Sequence, residues 1–365
     1  MITCPYCFAQ VAEDRIAFRC VGGCDPVADE PLGALRGGTP PSLPPVFQVR
    51  RPKRRADCPS CGRDTGRRVC PECHSGLAAE YCANPGRIVA LVGAKGSGKS
   101  TYIAVLLHEL MNRVGAELDA SLVPCDDRTI ERYRRDFSRP LYSEHRLLRA
   151  TQSAVTDTLR DPLVYLLSRT VKGRLRSRKA ALTLVLFDTA GEDLRSREVT
   201  ERHLRYLRAA DAVVFLVDPE SLREPPVDDP DSDPVNVIAR VTELLRTGPG
   251  SLTIPVAVAL SKIDAQKRES ASALHRSRTP SGAFDLDDHE GVHEQVRALL
   301  ESWDAGGLDR YLRQNYADFA FFALSSLGEV PGDAVVGPGG IRPYRVEDPL
   351  LWLLHRFKML DGVRR

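Results

Sequence analysis

The stretch that most limits what this chain can become is Gly93-Ala94-Lys95-Gly96-Ser97-Gly98-Lys99-Ser100. It follows the apolar run Ile88-Val89-Ala90-Leu91-Val92 directly, and a helical apolar pattern over Lys99–Val114 begins inside it. The segment fits G-x-x-x-x-G-K-[ST], the phosphate-binding P-loop, in which glycines let the backbone curl until successive N–H groups face inward. A buried strand, a curled loop and a helix whose positive end faces the loop make an anion site. The pattern assigns Gly93, Lys95, Gly96, Ser97, Gly98, Lys99, Ser100 and Thr101 to nucleotide phosphates. Lys99 reaches the β- and γ-phosphates, and the Ser100 hydroxyl is placed to ligate Mg²⁺. Lys95 either sets a positive charge near the transferred phosphoryl group or points to solvent.

A P-loop requires a sheet with parallel strands, and the rest of the chain offers one. Arg87–Val92, Leu163–Arg169, Ala181–Phe187, Ala212–Val217, Ile254–Leu260 and Phe319–Leu324 are short, mostly continuous apolar runs, as strands covered on both faces require. Between them lie helical patterns at Arg202–Leu207, Val237–Arg246, His293–Trp303 and Asp348–Lys358. The fold expected is α/β, a doubly wound, mostly parallel sheet over residues 85–365. Leu163–Asp188 reads as an antiparallel hairpin with a basic turn near Lys172–Lys179. A charged helix is expected near Thr129–Leu148. Val227–Pro234 is acidic and Pro-broken, an expected exposed loop, and Gln266–Glu290 is polar and expected to be flexible.

Two strand ends carry further chemistry. Leu184-Val185-Leu186-Phe187 runs into Asp188-Thr189-Ala190-Gly191-Glu192. Asp188 can hold Mg²⁺ through water, and the Gly191 N–H can meet a γ-phosphate. Val256–Leu260 runs into Ser261-Lys262-Ile263-Asp264. A carboxylate at Asp264 accepts from both N1–H and the 2-amino group of guanine, a donor pair that adenine lacks. The Lys262 stem can lie over the base. The N–H groups of Ser325, Ser326 and Leu327 follow the last strand and can meet guanine O6.

These motifs, in this order from Arg87 to Leu327, resemble a Ras-like GTPase of the translation-factor-related class. Ala209–Asp218 looks like that class too. More narrowly, the chain is similar to bacterial double-GTPase (conflict-system) GTPases, some of which carry N-terminal zinc ribbons. The resemblance implies GTP/GDP and Mg²⁺ as ligands, hydrolysis by in-line water attack, and a protein partner or activating protein. Four departures bear on it. Ser261 stands where the family has Asn. Glu192 stands where Ras-like enzymes carry the water-orienting Gln, which implies slow unassisted turnover. Lys95 occupies a position often held by Gly. The interval between the P-loop helix and Ala181 is also long. The threonine that closes over Mg²⁺ should precede the Leu163 strand. Thr151 is the first candidate, with Thr156 and Thr158 behind it. The candidate catalytic set is Lys99, Glu192 and Lys95, and the candidate Mg²⁺ set is Ser100, Asp188 and Thr151.

The ten cysteines lie at 4, 7, 20, 24, 58, 61, 70, 73, 82 and 125. This paired crowding fits structural metal in a reducing compartment better than a disulfide scaffold. Taken in chain order, Cys4, Cys7, Cys20 and Cys24 supply one tetrahedral Zn²⁺ site, and Cys58, Cys61, Cys70 and Cys73 a second. Residues 1–82 then read as two zinc-ribbon-like modules joined by the Pro-rich linker Gly37–Pro45, an appendage used for docking. His74 reads as an exposed side chain beside a complete cysteine set, and Cys82 and Cys125 as small buried residues without a role. Arg50–Arg55 reads as a solvated basic linker that could also meet nucleic acid, anionic lipid or an acidic partner. The net charge of +2 gives no general argument for nucleic acid, and there is no membrane-length apolar run. A cytoplasmic protein is expected. An ATPase or P-loop kinase, a non-hydrolysing nucleotide-gated adaptor and a zinc-based nucleic-acid binder remain the competing readings.

Overall fold

The structure is a computed structural model. It describes residues 1–50, 54–84, 86–148, 162–172, 177–188, 205–224, 233–266, 273–332, 336–337 and 339–364. Its centre is a seven-stranded sheet. The strands are β1 (Gly86–Val92), β2 (Ala120–Pro124), β3 (Leu163–Lys172), β4 (Ser177–Asp188), β5 (Ala212–Val217), β6 (Val256–Leu260) and β7 (Phe319–Ala323). Their spatial order is β2-β3-β4-β1-β5-β6-β7. β4, β1, β5, β6 and β7 run parallel, while β3 is antiparallel to β4 and β2 antiparallel to β3. The expected hairpin is therefore present, and all six expected strands form. The edge strand β2 is an addition to them.

Successive residues of a strand point to opposite faces, and both faces are covered. On one face, Val89, Leu91, Leu186, Val214 and Leu216 meet two helices. These are α1 (Lys99–Met111), through Ile103, Leu106 and Leu110, and the C-terminal helix Asp348–Arg356, through Leu350, Leu351 and Trp352. On the other, Ile88, Ala90, Val92, Phe187 and Phe215 face α2 (Pro234–Leu245) and α3 (Leu286–Ser302), meeting Val237, Val241, Val296 and Leu300. The helices begin where side chains can satisfy free amides. Asp233 accepts from Val235 N at 2.8 Å and Asp285 accepts from Asp288 N at 3.1 Å.

One expected element takes an unexpected form, and one expectation needs correction. The charged helix expected near Thr129–Leu148 is an α-helix over Asp127–Arg132 continued as a π-helix over Tyr133–Ser143, capped by Asp126, which accepts from Thr129 N at 2.7 Å. Residues 273–290 are not a loose polar insertion. Arg278 reaches Glu117 at 2.6 Å and Glu347 at 3.1 Å, with its side chain largely buried. The segment is polar in sequence, but its charges are paired in space. Of the acidic loop Val227–Pro234, only the last two residues are described.

The cysteine-rich region also departs from the expected appendage. A four-stranded sheet threads Gly76–Leu77, Arg68–Val69, Ala17–Arg19 and Val46–Phe47 in that order, interleaving both halves of residues 1–82. Cys4, Tyr6, Val11, Cys70, Cys73 and Tyr81 belong to the same apolar cluster as Ile88 and Phe187 of the main sheet and Tyr206 beside it. Tyr6 donates to Asp126 at 2.9 Å, and Tyr81 donates to the Thr3 carbonyl. The region thus shares a core with the large sheet. Among the described residues, no helix is long and apolar enough to cross a membrane.

Candidate functional site

The parallel strands β1, β4, β5, β6 and β7 all end on the same side, where a doubly wound sheet binds its ligands. At the end of β1 the chain turns through Gly96 (φ 76°) and Gly98 (φ 85°), both left-handed, and enters α1 at Lys99. Gly93 has no room for a side chain: a Cβ there would collide with the Leu216 carbonyl oxygen and lie 2.6 Å from Ser97 Oγ. Lys99 is buried, and its Nζ donates to the carbonyls of Gly93 at 2.7 Å and Ala94 at 2.9 Å. Ser97 Oγ lies at 3.4 Å. The ammonium is thus held across the mouth of the loop by oxygen acceptors, a role that phosphate oxygens can take over. Ser100 and Thr101 are half-buried in the first turn, whereas Lys95 is exposed.

Asp188 closes β4 in register with Leu91, two residues before Gly93 on the adjacent strand. This puts its backbone beside the loop. A hydroxyl residue at the start of the helix and an acidic residue at the end of the neighbouring strand are the residue types whose oxygens a hard cation such as Mg²⁺ takes. Thr151, Thr156, Thr158, Gly191 and Glu192 lie outside the described residues.

The segments expected on the base side lie at the ends of β6 and β7. Ser261 N donates to the Val217 carbonyl at 2.8 Å, and its hydroxyl donates to the same oxygen at 3.2 Å, tying β6 to β5. Lys262 takes a left-handed conformation (φ 51°), and its Nζ pairs with Asp218 Oδ2 at 2.6 Å. Asp264 is half-buried in the 3₁₀ turn Ile263–Ala265, and Ile263 N donates to the Leu324 carbonyl at 3.2 Å. Ser325 is buried. Its N–H donates to the Tyr344 carbonyl at 3.1 Å, so of the three amides expected at guanine O6 this one is already engaged, and its Oγ accepts from Gly328 N at 2.8 Å. The Leu327 carbonyl accepts from Arg342 N at 2.9 Å. Ser326 lies half-buried between them. Thus Gly93–Thr101, Ser261–Asp264 and Ser325–Leu327 share one end of the sheet. Asp218 enters the sequence reading only as part of a strand pattern. Its position at the end of a buried strand, like that of Asp188, is the signal that marks it.

The eight paired cysteines form two clusters, but not in chain order. Cys4 and Cys7 meet Cys70 and Cys73, while Cys20 and Cys24 meet Cys58 and Cys61. The strand Ala17–Arg19 pairs with Arg68–Val69 and Val46–Phe47, so the outer knuckles face each other and the inner ones do likewise. Sulfur separations are 3.8 Å for Cys4–Cys73, 3.7 Å for Cys7–Cys70, 3.6 Å for Cys20–Cys61 and 3.7 Å for Cys24–Cys58. Four sulfurs about 2.3 Å from a tetrahedral centre are about 3.8 Å apart, whereas a disulfide needs about 2.05 Å. Each cluster therefore has the shape that Zn²⁺ takes. In the second cluster the knuckle amides favour two of the thiolates: N–H groups of Gly23 and Gly22 bring Cys20 down to about 6, and the Cys61 N–H lowers Cys58, while burial pushes Cys24 up to about 12.

His74 is neither a ligand nor exposed: its Nδ1 lies 2.8 Å from Asp29 Oδ1, and Asp29 also pairs with Arg19 at 2.6 Å. Burial pushes Cys82 up to about 11 and Cys125 up to about 12, in keeping with unreactive side chains. Of the basic linker, Arg55 pairs with Asp64.

A family model described as Double-GTPase 2 matches residues 87–327. A protein of Mycolicibacterium smegmatis that carries the name "Putative ESX-1 scaffolding and assembly protein SaeC" is 28% identical over 321 residues, covering 80% of each chain. Among solved structures, the Arl6 small GTPase of Trypanosoma brucei with GppNp is 16% identical, covering 76% of this chain and 99% of that one, at a TM-score of 0.32. The GTP-bound Ski7 GTPase-like domain of S. cerevisiae is 14% identical, covering 75% and 50%, at 0.34.

Proposed function

Because the chain belongs to the Double-GTPase 2 family, we propose that it is a regulatory GTPase that binds GTP and GDP with Mg²⁺, turns over slowly unaided and docks through its cysteine-rich region. The observation that carries this reading is the assembled nucleotide end of the sheet. Lys99 is held inside a loop that admits no side chain at Gly93, with Asp188 one strand away and Ser261–Asp264 and Ser325–Leu327 on the base side. Lys99, the loop amides and the helix end hold the phosphates. Ser100 and Asp188 would hold Mg²⁺, which neutralises charge on the transferred phosphoryl group. Asp264 selects guanine. Thr151 is the candidate for completing the Mg²⁺ shell, and Lys95 stands at the loop's outer edge.

Slow turnover follows from Glu192. A carboxylate beside a negative phosphoryl group orients water poorly, so a partner protein supplies what is missing. The two cysteine clusters fit Zn²⁺ in shape and would fold the docking surface. The M. smegmatis relative is named as a scaffolding and assembly protein, which supports a partner within a protein assembly.

The test is nucleotide affinity across GTP, GDP, ATP and a non-hydrolysable GTP analogue, repeated with Asp264→Asn. The variant should shift preference from guanine toward xanthine nucleotides; unchanged preference refutes the base assignment. Turnover above ~1 s⁻¹ for the isolated protein, against ~10⁻⁴ s⁻¹ for unassisted Ras-like hydrolysis, contradicts the slow-switch reading. No phosphate release in a single turnover, matching Lys99→Ala, makes the protein a non-hydrolysing adaptor.

A further inference from the structure

We propose that Phe8 is a positioning residue for the nucleotide site, because the first cysteine knuckle holds its ring against the strand end that carries Asp188. The proposal rests on the Mg²⁺ role given to Asp188 above and names what keeps that residue in place.

The knuckle Cys4–Cys7 closes with Phe8 N donating to the Cys4 carbonyl at 3.0 Å and Cys4 N to the Ala9 carbonyl at 2.9 Å. This turn puts Phe8 in the left-handed region, φ 62°. The same place after Cys58-x-x-Cys61 holds Gly62, φ 71°, and after Cys70-x-x-Cys73 holds His74, φ 56°. A residue with a Cβ is disfavoured in this conformation, where glycine sits almost freely. His74 offsets that cost through Asp29. Phe8 has another use. Its ring centroid lies 5.3 Å from that of Phe187 and 5.7 Å from that of Tyr206, which are 4.4 Å from each other.

Phe187 immediately precedes Asp188 and pairs in register with Ala90 of β1. The Tyr206 hydroxyl lies 3.3 Å from both Leu91 N and the Val89 carbonyl. The three rings therefore clamp the end of β4 to the strand that leads into the P-loop. Tyr6, in the same turn, reaches Asp126, the cap of the helix whose Thr129 Oγ1 accepts from Val164 N at the start of β3. One knuckle turn thus reaches β1 through Tyr206 and β3 through the helix that Asp126 caps, the two strands that flank the end of β4. Beside it lies a cavity of about 230 Å³ lined by Tyr6, Phe8, Leu35, Cys73 and Arg205.

The experiment uses the full chain loaded with a fluorescent non-hydrolysable GTP analogue. Release is followed in Mg²⁺ and in EDTA, with bound zinc counted on each sample. Phe8→Gly suits the turn, as Gly62 does, and removes only the ring. It should keep both metals and release the analogue about tenfold faster in Mg²⁺, with no change in EDTA. Phe8→Tyr keeps the ring and should release like wild type. Tyr206→Leu removes the clamp from the other side without touching the knuckle, and should repeat the Phe8→Gly result. Unchanged release in Mg²⁺, or equal acceleration with and without Mg²⁺, overturns the proposal. Should Phe8→Gly lose a metal, Tyr206→Leu decides alone, since release like wild type overturns the proposal. Wild-type protein that fails to hold the analogue at all refutes the guanine-nucleotide reading itself and takes this one with it.

Discussion

Cysteines substituted two at a time separate the crossed pairing from the chain-order pairing. In the crossed arrangement Cys4 and Cys73 belong to one cluster, while Cys4 and Cys24 belong to different ones. Cys4→Ser with Cys73→Ser should leave one zinc per chain, and Cys4→Ser with Cys24→Ser should leave none. The stability cost follows from chain length and burial. The first cluster joins positions 63 residues apart, Cys7 to Cys70. Treated as a cross-link, a loop of that span restricts the unfolded chain by about 4 kcal/mol. Spread over a chain of this size, that lowers the melting temperature by roughly 5 °C. The second cluster spans 34 residues, Cys24 to Cys58, and the same argument gives nearly the same entropy. Only the first, however, contributes Cys4, Cys70 and Cys73 to the core shared with the sheet. Cys20→Ser with Cys61→Ser should therefore also leave one zinc but lower the melting temperature less than Cys4→Ser with Cys73→Ser. Native mass spectrometry reads the metal count, and calorimetry reads the unfolding. One zinc retained by the Cys4/Cys24 pair and none by the Cys4/Cys73 pair would refute the crossed geometry outright.

Gly93→Ala should cost about 1–3 kcal/mol of stability and at least tenfold in nucleotide affinity, since the new methyl meets the backbone of Leu216. Wild-type affinity by titration would refute the close approach. Burial, followed by the neighbouring charge of His293, brings His289 down to about 4. Between about pH 6.5, its unfolded value, and pH 4, only the unfolded chain takes up that proton. Stability should therefore fall as pH falls through that window, and His289→Gln should flatten the slope; an unchanged slope in urea melts would refute the assignment. Asp348 runs the other way: burial raises it to about 7 despite Arg345, so the folded state keeps a proton that the unfolded chain loses above about pH 4. Stability from this group drops as pH rises from 4 to 7, and the gain from Asp348→Asn should be larger at pH 8 than at pH 5.

The sheet was legible because its strands are buried on both faces. Runs such as Ala212–Val217 and Val256–Leu260 have no solvent side to disguise them. β2 was not legible for the opposite reason. Ala120–Pro124 is short and half-exposed, and it ends in a proline that only an edge tolerates. The ligand-bearing turns were legible where a residue type does one job. Glycines at 93, 96 and 98 announce the loop, and Cys-x-x-Cys announces a knuckle. Which knuckles meet was not, because the turn is local while the pairing is set by the strand Ala17–Arg19 finding Arg68–Val69 across the linker. The same distinction explains Phe8. A knuckle needs a residue that accepts a positive φ, and Gly62 supplies the easy solution once in this chain. Phe8 and His74 are costlier choices at the equivalent place, and each finds its compensation far away in sequence, at Phe187 and Asp29. Bulk at a position where glycine would serve is thus a mark, carried by the amino-acid sequence itself, of a side chain held for a distant contact.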